Sequence, residues 1–269
     1  MRRSWRAPRP FVLESADAVA HQALFRRPGE IDLAVVVAAH GGVLVHGRLD
    51  RGEGAMLRTP AGAVLTVDER LEGTPHGLFI AAHEAGHLVL HPDVGLSAWC
   101  RVVSGSFFQR EIDASDFGSR VLTPGPLVEA WLRAAEATLG AHGLTLHVAR
   151  AFADVFRVSL PVALLRLVAR VEEPLAAVCT REGVVRWWSA TNAFPFDLTM
   201  RFALGRAAHA RTSEALARHV AHGEPELVPA EAWTKHRRAR GATLVEHSVR
   251  FEGGAPADGA LTLLRARAG

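Results

Sequence analysis

The spacing of apolar positions in the first part of the chain predicts a helix, three strands and a second, buried helix. Apolar residues recur at helical spacing over 31–40, with Asp32 near the start, although a buried strand is an alternative for this segment. Residues 78–91 are apolar on nearly every side and end before Pro92, which predicts a buried helix. Three short apolar runs between these segments predict a small antiparallel sheet: residues 43–45, 55–58 and 63–67.

The middle of the chain has the apolar spacing of successive helices. A helix is predicted over 109–122, and three more follow before residue 172: 126–139, 144–156 and 160–171. The segment 144–171 has the spacing of a helix-turn-helix pair, although most such pairs only pack against their neighbours. We therefore expect a helical segment over residues 126–173.

Strand patterns dominate after residue 173. We predict strands at 175–179 and 184–188 and a final hairpin at 244–251 and 260–264. One helix over 213–220 and another beginning near Pro229 lie between these strands. The predicted fold class is therefore α+β, with three segments at 1–125, 126–173 and 174–269.

Composition narrows the possible classes of protein. The chain has 269 residues, of which 49% are hydrophobic and 22% charged, which provides enough apolar material for one large or two modest cores and excludes wholesale disorder. No apolar run reaches the roughly 18 to 20 residues of a membrane-spanning helix, and no secretory signal is apparent. With only two cysteines, Cys100 and Cys179, we expect a cytoplasmic protein without disulfides. The net charge of +3 is weak evidence for nucleic-acid binding.

The buried helix carries an HExxH pattern formed by His83, Glu84 and His87. Residues four apart on a helix share a face and lie about 6 Å apart along the axis, so both imidazoles can reach one metal ion. Glu84 would then lie beside the ion, where it can take a proton from water. The alternative is a pair of hydrogen-bonded core histidines. Burying these polar groups without partners costs several kcal/mol, which favours a metal site.

A third ligand has to come from another element. His91 lies about 12 Å along the axis from His83, which is too far for one ion. Glu111 is the best candidate, because a carboxylate on a second packed helix completes a catalytic site with an open position. The residues that follow it on the same helical face are small, so this helix can approach the metal helix closely: Ala114, Ser115 and Gly118.

Two other residues, Asp113 and Cys100, are alternative ligands. Asp113 points off the small-residue face, and we expect it to be solvated, but it is the fallback ligand. Asp116 is expected to be solvated and to pair with Arg120 four residues later. Cys100 can bind zinc through its thiolate, although a buried structural thiol is favoured.

Two ordered motifs resemble the ImmA/IrrE family of zinc metallopeptidases. The first is LFIAAHEAGHLVLH at residues 78–91. That family follows its HExxH helix with a glutamate and then Ala-Asn, Phe-Ala and Leu-Leu-Met-Pro. This chain departs from that pattern at Ser115, Gly118 and Thr123. The matching residues are Glu111, Ala114-Ser115, Phe117-Gly118 and Val121-Leu122-Thr123-Pro124.

The resemblance implies a function and an architecture. It implies that His83, His87 and Glu111 hold zinc and that Glu84 is the catalytic base of a metalloendopeptidase. The implied substrate is a helix-turn-helix transcriptional repressor, whose cleavage releases stress-response or mobile-element genes. The three-segment layout is similar to that of radiation-response members of the family, which implies a zincin-like core over 1–125 and a GAF-like module over 174–269. A site of two histidines and one carboxylate also accepts manganese.

The chain has no tyrosine, so in a peptidase the oxyanion would be stabilised by the metal, a histidine, an arginine or backbone amides.

A second hypothesis is a DNA-binding or ligand-sensing transcriptional regulator with a structural metal site, in which residues 144–171 enter the major groove. This is less favoured, because residues 160–171 offer only Arg166 and Arg170 for contacts to bases. The basic run at 235–240 lacks interleaved aromatics and is expected to be solvated.

Overall fold

The computed structural model of the chain describes residues 9–22, 27–92, 96–97, 106–181, 184–196, 198, 225–234, 236–250 and 259–267. These residues form two compact units. One contains described residues of Ala7–Glu136 and Ala151–Val162, and the other contains those of Ala137–Arg150 and Ala163–Gly269. The described helices and two sheets confirm the α+β class, whereas the division into three segments remains a prediction.

Most of the predicted elements are present with slightly shifted ends, but the single helix predicted over 126–139 is wrong, because two helices with a break at Ala135 occupy this segment. A further helix over Pro10–Gln22 is not predicted from the sequence. The helices are α1 (Pro10–Gln22), α2 (Leu33–Ala39), α3 (Pro75–Leu90), α4 (Ser106–Leu122), α5 (Gly125–Ala134), α6 (Glu136–His142), α7 (Leu146–Phe156) and α8 (Leu160–Val168). The strands are β1 (Gly42–Gly47), β2 (Gly54–Thr59), β3 (Gly62–Asp68), β4 (Leu96–Ser97), β5 (Leu175–Arg181), β6 (Val184–Ala190), β7 (Glu226–Pro229), β8 (Thr243–Arg250) and β9 (Gly259–Ala266). Short 3₁₀ helices lie at Glu69–Leu71, Ala230–Ala232 and Arg237–Ala239.

The first sheet has the strand order β1-β3-β2-β4. The prediction that it is antiparallel is wrong for one pair, because β1 runs parallel to β3 with Gly42 opposite Ala63. The tight turn between β2 and β3 makes these two strands antiparallel neighbours, so β1 pairs with the other edge of β3. The six residues between β1 and β2 are long enough to cross the width of β3, about 10 Å between the outer strands.

Helix α3 begins and ends at clear signals and packs against both the sheet and α4. Thr74 is its N-cap, whose Oγ accepts a hydrogen bond from Gly77 N at 3.0 Å, and Pro75 occupies the first turn. His91 ends the helix, with its backbone N–H donating to His87 O. Nine residues of α3 are buried, which confirms the predicted buried helix.

The second sheet is antiparallel, with the strand order β6-β5-β9-β8-β7. Strand β7 is not predicted from the sequence, and the helix expected near Pro229 is only the 3₁₀ turn Ala230–Ala232. Trp233 is buried beside this turn, and its Nε1 donates a hydrogen bond to Glu246 Oε2 at 2.6 Å. The helix predicted at 213–220 lies outside the described residues.

Helices α7 and α8 are joined by three residues, and Arg157 adopts a left-handed conformation there, with φ of 53°. The predicted pair of helices is therefore present. No residue of α8 is exposed, and Arg166 is only 3% accessible. A helix that reads bases needs exposed polar side chains, which α8 does not offer. By contrast, Arg237, Arg238 and Arg240 of the basic run are exposed, as predicted, and Lys235 lies outside the described residues.

Candidate metal centre

Helix α3 presents two histidines on one buried face. His83 and His87 are 6% and 2% accessible, and their Nε2 atoms lie 3.1 Å apart. The i, i+4 spacing on a helix produces this convergence, as the sequence pattern predicts. The two imidazoles therefore offer neighbouring donor atoms inside the protein.

Helix α4 brings the third donor to the same point. Glu111 Oε2 lies 3.3 Å from His83 Nε2, and Glu111 Oε1 lies 3.3 Å from His87 Nε2. Around a tetrahedral ion with bonds of about 2.0–2.1 Å, adjacent ligand atoms are separated by about 3.3 Å. The group His83, His87 and Glu111 therefore fits a metal ion in both donor type and spacing. The Glu111 side chain is 21% accessible, against 8% and 3% for the two histidines.

Glycines at the crossing of α3 and α4 bring the two helices close together. A Cβ atom added at Gly86 would lie 2.8 Å from Ala114 O, and one added at Gly118 would lie 3.0 Å from His83 N. Contacts this short leave no room for a larger residue. The predicted face of small residues on α4 therefore meets α3, and this contact places Glu111 beside the histidines.

The histidines favour the ionised form of the Glu111 carboxyl. Burial acts to raise the pKa of this carboxyl, but hydrogen bonds and charge interactions with His83 and His87 outweigh burial and hold the pKa well below its usual range. Glu111 is therefore ionised at neutral pH, as a metal ligand has to be.

The second ring nitrogen of each histidine also has a partner. His83 Nδ1 lies 3.0 Å from Ser115 Oγ, and His87 Nδ1 lies 3.1 Å from His91 Nδ1. His91 is not part of the group of His83, His87 and Glu111, and its contact with His87 is not predicted from the sequence. The i, i+4 spacing of residues 87 and 91 on one helix could have indicated this contact.

Glu84 lies against the first residue of β2. Its side chain is 1% accessible, and a Cβ atom added at Gly54 would lie 2.9 Å from Glu84 Oε1 and 2.5 Å from Ile80 Cγ2. The absence of a side chain at Gly54 therefore provides the space that the carboxylate occupies. The role of Glu84 as a base remains a prediction.

Neither aspartate that was considered as an alternative ligand or as its neighbour, Asp113 or Asp116, is part of this group. Asp113, the fallback ligand, is 2% accessible, forms an ion pair with Arg9 and accepts a hydrogen bond from Gln109 Nε2 at 3.0 Å. The expectation that it is solvated is therefore wrong, because Arg9 covers it. Asp116 pairs with Arg120 at 3.0 Å as predicted, but it is buried rather than solvated. Cys100 lies outside the described residues.

Comparisons with known proteins add evidence about the fold. No family model matches the chain, and no curated protein is significantly similar to it. A solved structure described as a Mycobacterium tuberculosis transcriptional regulator aligns with a TM-score of 0.62 and 14% sequence identity, over 96% of this chain and 88% of that one. At this level of identity the two chains share a fold. No helix in the described part of this chain combines the length and apolar character needed to cross a bilayer.

Proposed function

We propose that the chain is a zinc-dependent endopeptidase that cleaves a helix-turn-helix transcriptional repressor and thereby derepresses stress-response genes. The observation that carries this proposal is the triangle of His83 Nε2, His87 Nε2 and the Glu111 carboxylate, with edges of 3.1 to 3.3 Å. The motif resemblance supplies the reaction and the substrate class. The solved structure described as a transcriptional regulator is consistent with a role in transcription.

The residues of the site have two roles, which are to hold an ion and to move a proton. When bound, zinc supplies Lewis-acid polarisation of a water molecule and of the peptide carbonyl. His83, His87 and Glu111 would hold the ion. Glu84 accepts the proton of the attacking water and returns it to the departing amine. Manganese is the alternative ion, because the donor set accepts either metal.

The accessibility of the three ligands suggests how a substrate would reach the site. Of the three ligands, Glu111 has the largest accessible fraction, while both histidines are enclosed. We propose that a peptide approaches from the side of Glu111. We propose that this substrate is a cytoplasmic repressor protein.

Glu84→Gln tests the reaction directly. The variant keeps the shape of the side chain but lacks the base, so we expect metal content equal to that of the wild type and cleavage reduced by about 100- to 10,000-fold. Glu14→Gln, which makes the same change at an exposed position of α1, is the matched control. The assay incubates each protein with candidate repressors and follows a single cut by mass spectrometry. Full activity in Glu84→Gln would refute this mechanism.

A transcriptional regulator with a structural metal site is the second candidate function. The solved structure described as a regulator favours it, whereas the absence of exposed residues on α8 disfavours base recognition by that helix. It predicts salt-sensitive, sequence-specific binding to duplex DNA. Gel-shift titrations that show only micromolar or weaker, sequence-blind binding would exclude the DNA-binding form of this candidate.

A further inference from the structure

The two histidines of the metal group are each supported by a different side chain at Nδ1. Ser115 Oγ lies 3.0 Å from His83 Nδ1, and His91 Nδ1 lies 3.1 Å from His87 Nδ1. We propose that Ser115 and His91 are positioning residues that fix the ring orientation in which both Nε2 atoms face one ion. This inference rests on the metal site of the proposed function.

The tautomers follow from metal binding itself. A neutral imidazole that offers its Nε2 lone pair to an ion carries its proton on Nδ1. His83 Nδ1–H then donates to Ser115 Oγ, and His87 Nδ1–H donates to His91 Nδ1. His91 accepts at Nδ1 only when its own proton is on Nε2, so metal binding at His87 also fixes the tautomer of His91.

The fold holds His91 in place beside His87. His91 is 5% accessible and follows the last turn of α3, where its backbone N–H donates to His87 O at 3.1 Å. Its ring centroid lies 5.2 Å from that of His87. Because His87 is also buried, solvent is poorly placed to replace a lost acceptor.

Ser115 links the support of one ligand to the placement of another. It lies four residues after Glu111 on α4, so one helix supplies both the carboxylate ligand and the acceptor for His83. The close crossing at Gly118, where an added Cβ would lie 3.0 Å from His83 N, brings this part of α4 against α3. The spacing of the helices therefore sets the orientation of the His83 ring as well as the position of Glu111.

Removal of either acceptor should weaken metal binding without removing a ligand. We expect Ser115→Ala and His91→Leu each to lower zinc affinity by about 10- to 100-fold. The conservative variants keep an acceptor oxygen, since threonine retains Oγ and the asparagine Oδ1 takes the place of a histidine Nδ1. Ser115→Thr and His91→Asn should therefore recover most of the affinity.

The experiment measures zinc affinity of the full chain at one fixed pH by competition with a chromophoric chelator. Visible spectra of the cobalt-loaded proteins report the coordination geometry independently of activity. Ser119→Ala is the matched control, because Ser119 is a buried serine one turn further along α4 whose Oγ donates to Asp116 O. Its affinity and cobalt spectrum should match the wild type. Circular dichroism of the metal-free proteins establishes that each variant is folded.

The possible results separate the two proposals. Zinc binding that is lost in His83→Ala but unchanged in Ser115→Ala and His91→Leu would overturn the positioning roles and leave the metal site intact. Equal losses in the conservative and non-conservative variants would show a merely structural role and would also overturn the inference. A wild-type protein that binds no metal would overturn the metal site and this inference together.

Discussion

The close crossing of α3 and α4 leads to a quantitative prediction for Gly86→Ala. The added Cβ would lie 2.8 Å from Ala114 O and 2.9 Å from Ala114 Cα, and both of these are backbone atoms that cannot rotate away. Ordinary contact begins at 3.4 Å, so α4 has to retreat by about 0.6 Å. This displacement would also move Glu111 away from the two histidines.

Two terms decide the stability of this variant. Overpacking of a close interface costs about 1–3 kcal/mol, whereas replacing glycine by alanine within a helix gains up to about 1 kcal/mol. Gly140→Ala is the matched control, because Gly140 lies in α6 with nothing within 4 Å of an added Cβ. The helix-propensity gain is common to both variants, so Gly86→Ala should be less stable than Gly140→Ala by about 1–3 kcal/mol.

Urea denaturation followed by circular dichroism measures this difference, and chelator competition measures zinc affinity. Because a shift of about 0.6 Å exceeds the roughly 0.5 Å tolerance of a functional constellation, Gly86→Ala should also bind zinc more weakly than Gly140→Ala. Equal stability and equal zinc affinity in the two variants would show that the helices do not approach at Gly86 as closely as described.

Two further predictions concern the strand that faces Glu84 and the end of β3. In Gly54→Ala the new Cβ would lie 2.9 Å from Glu84 Oε1. Cleavage of the repressor should therefore fall by about 10- to 100-fold, with metal content unchanged. Unchanged cleavage would argue against this contact. Hydrogen bonds from Arg70 hold the pKa of Asp68 well below its usual range. The ionised Asp68 carboxylate therefore stabilises the fold fully above the unfolded-state pKa of about 3.9, and this stabilisation is lost as the pH falls toward the folded-state pKa. Asp68→Asn should therefore be destabilised at pH 7, with a deficit in urea denaturation that shrinks below about pH 4; a deficit that does not change with pH would refute the assignment.

The local part of the candidate site was predictable from the sequence. The i, i+4 spacing of the histidines and the small residues that follow Glu111 are properties of single helices, so they predict the observed group. The partner of buried Asp113 is Arg9, which lies 104 residues away in the chain. A pattern within one helix contains no information about such a distant partner.

The strand order of the first sheet is also not predictable from local sequence patterns. Alternation of apolar residues located β1, β2 and β3, but it does not determine which strand lies in the middle. The hairpin of β2 and β3 leaves the other edge of β3 for β1, which produces the parallel pair. Strand β7 has only four residues, too few for an alternating pattern to be distinctive.

Metal content decides whether the group of His83, His87 and Glu111 is a metal site. Elemental mass spectrometry of the untagged wild-type protein and of His83→Ala measures whether the group of His83, His87 and Glu111 holds an ion. We expect about one zinc per chain in the wild type and its loss in the variant. A wild-type protein that contains no metal and takes up neither zinc nor manganese on reloading would refute the metal site and the proposed peptidase activity.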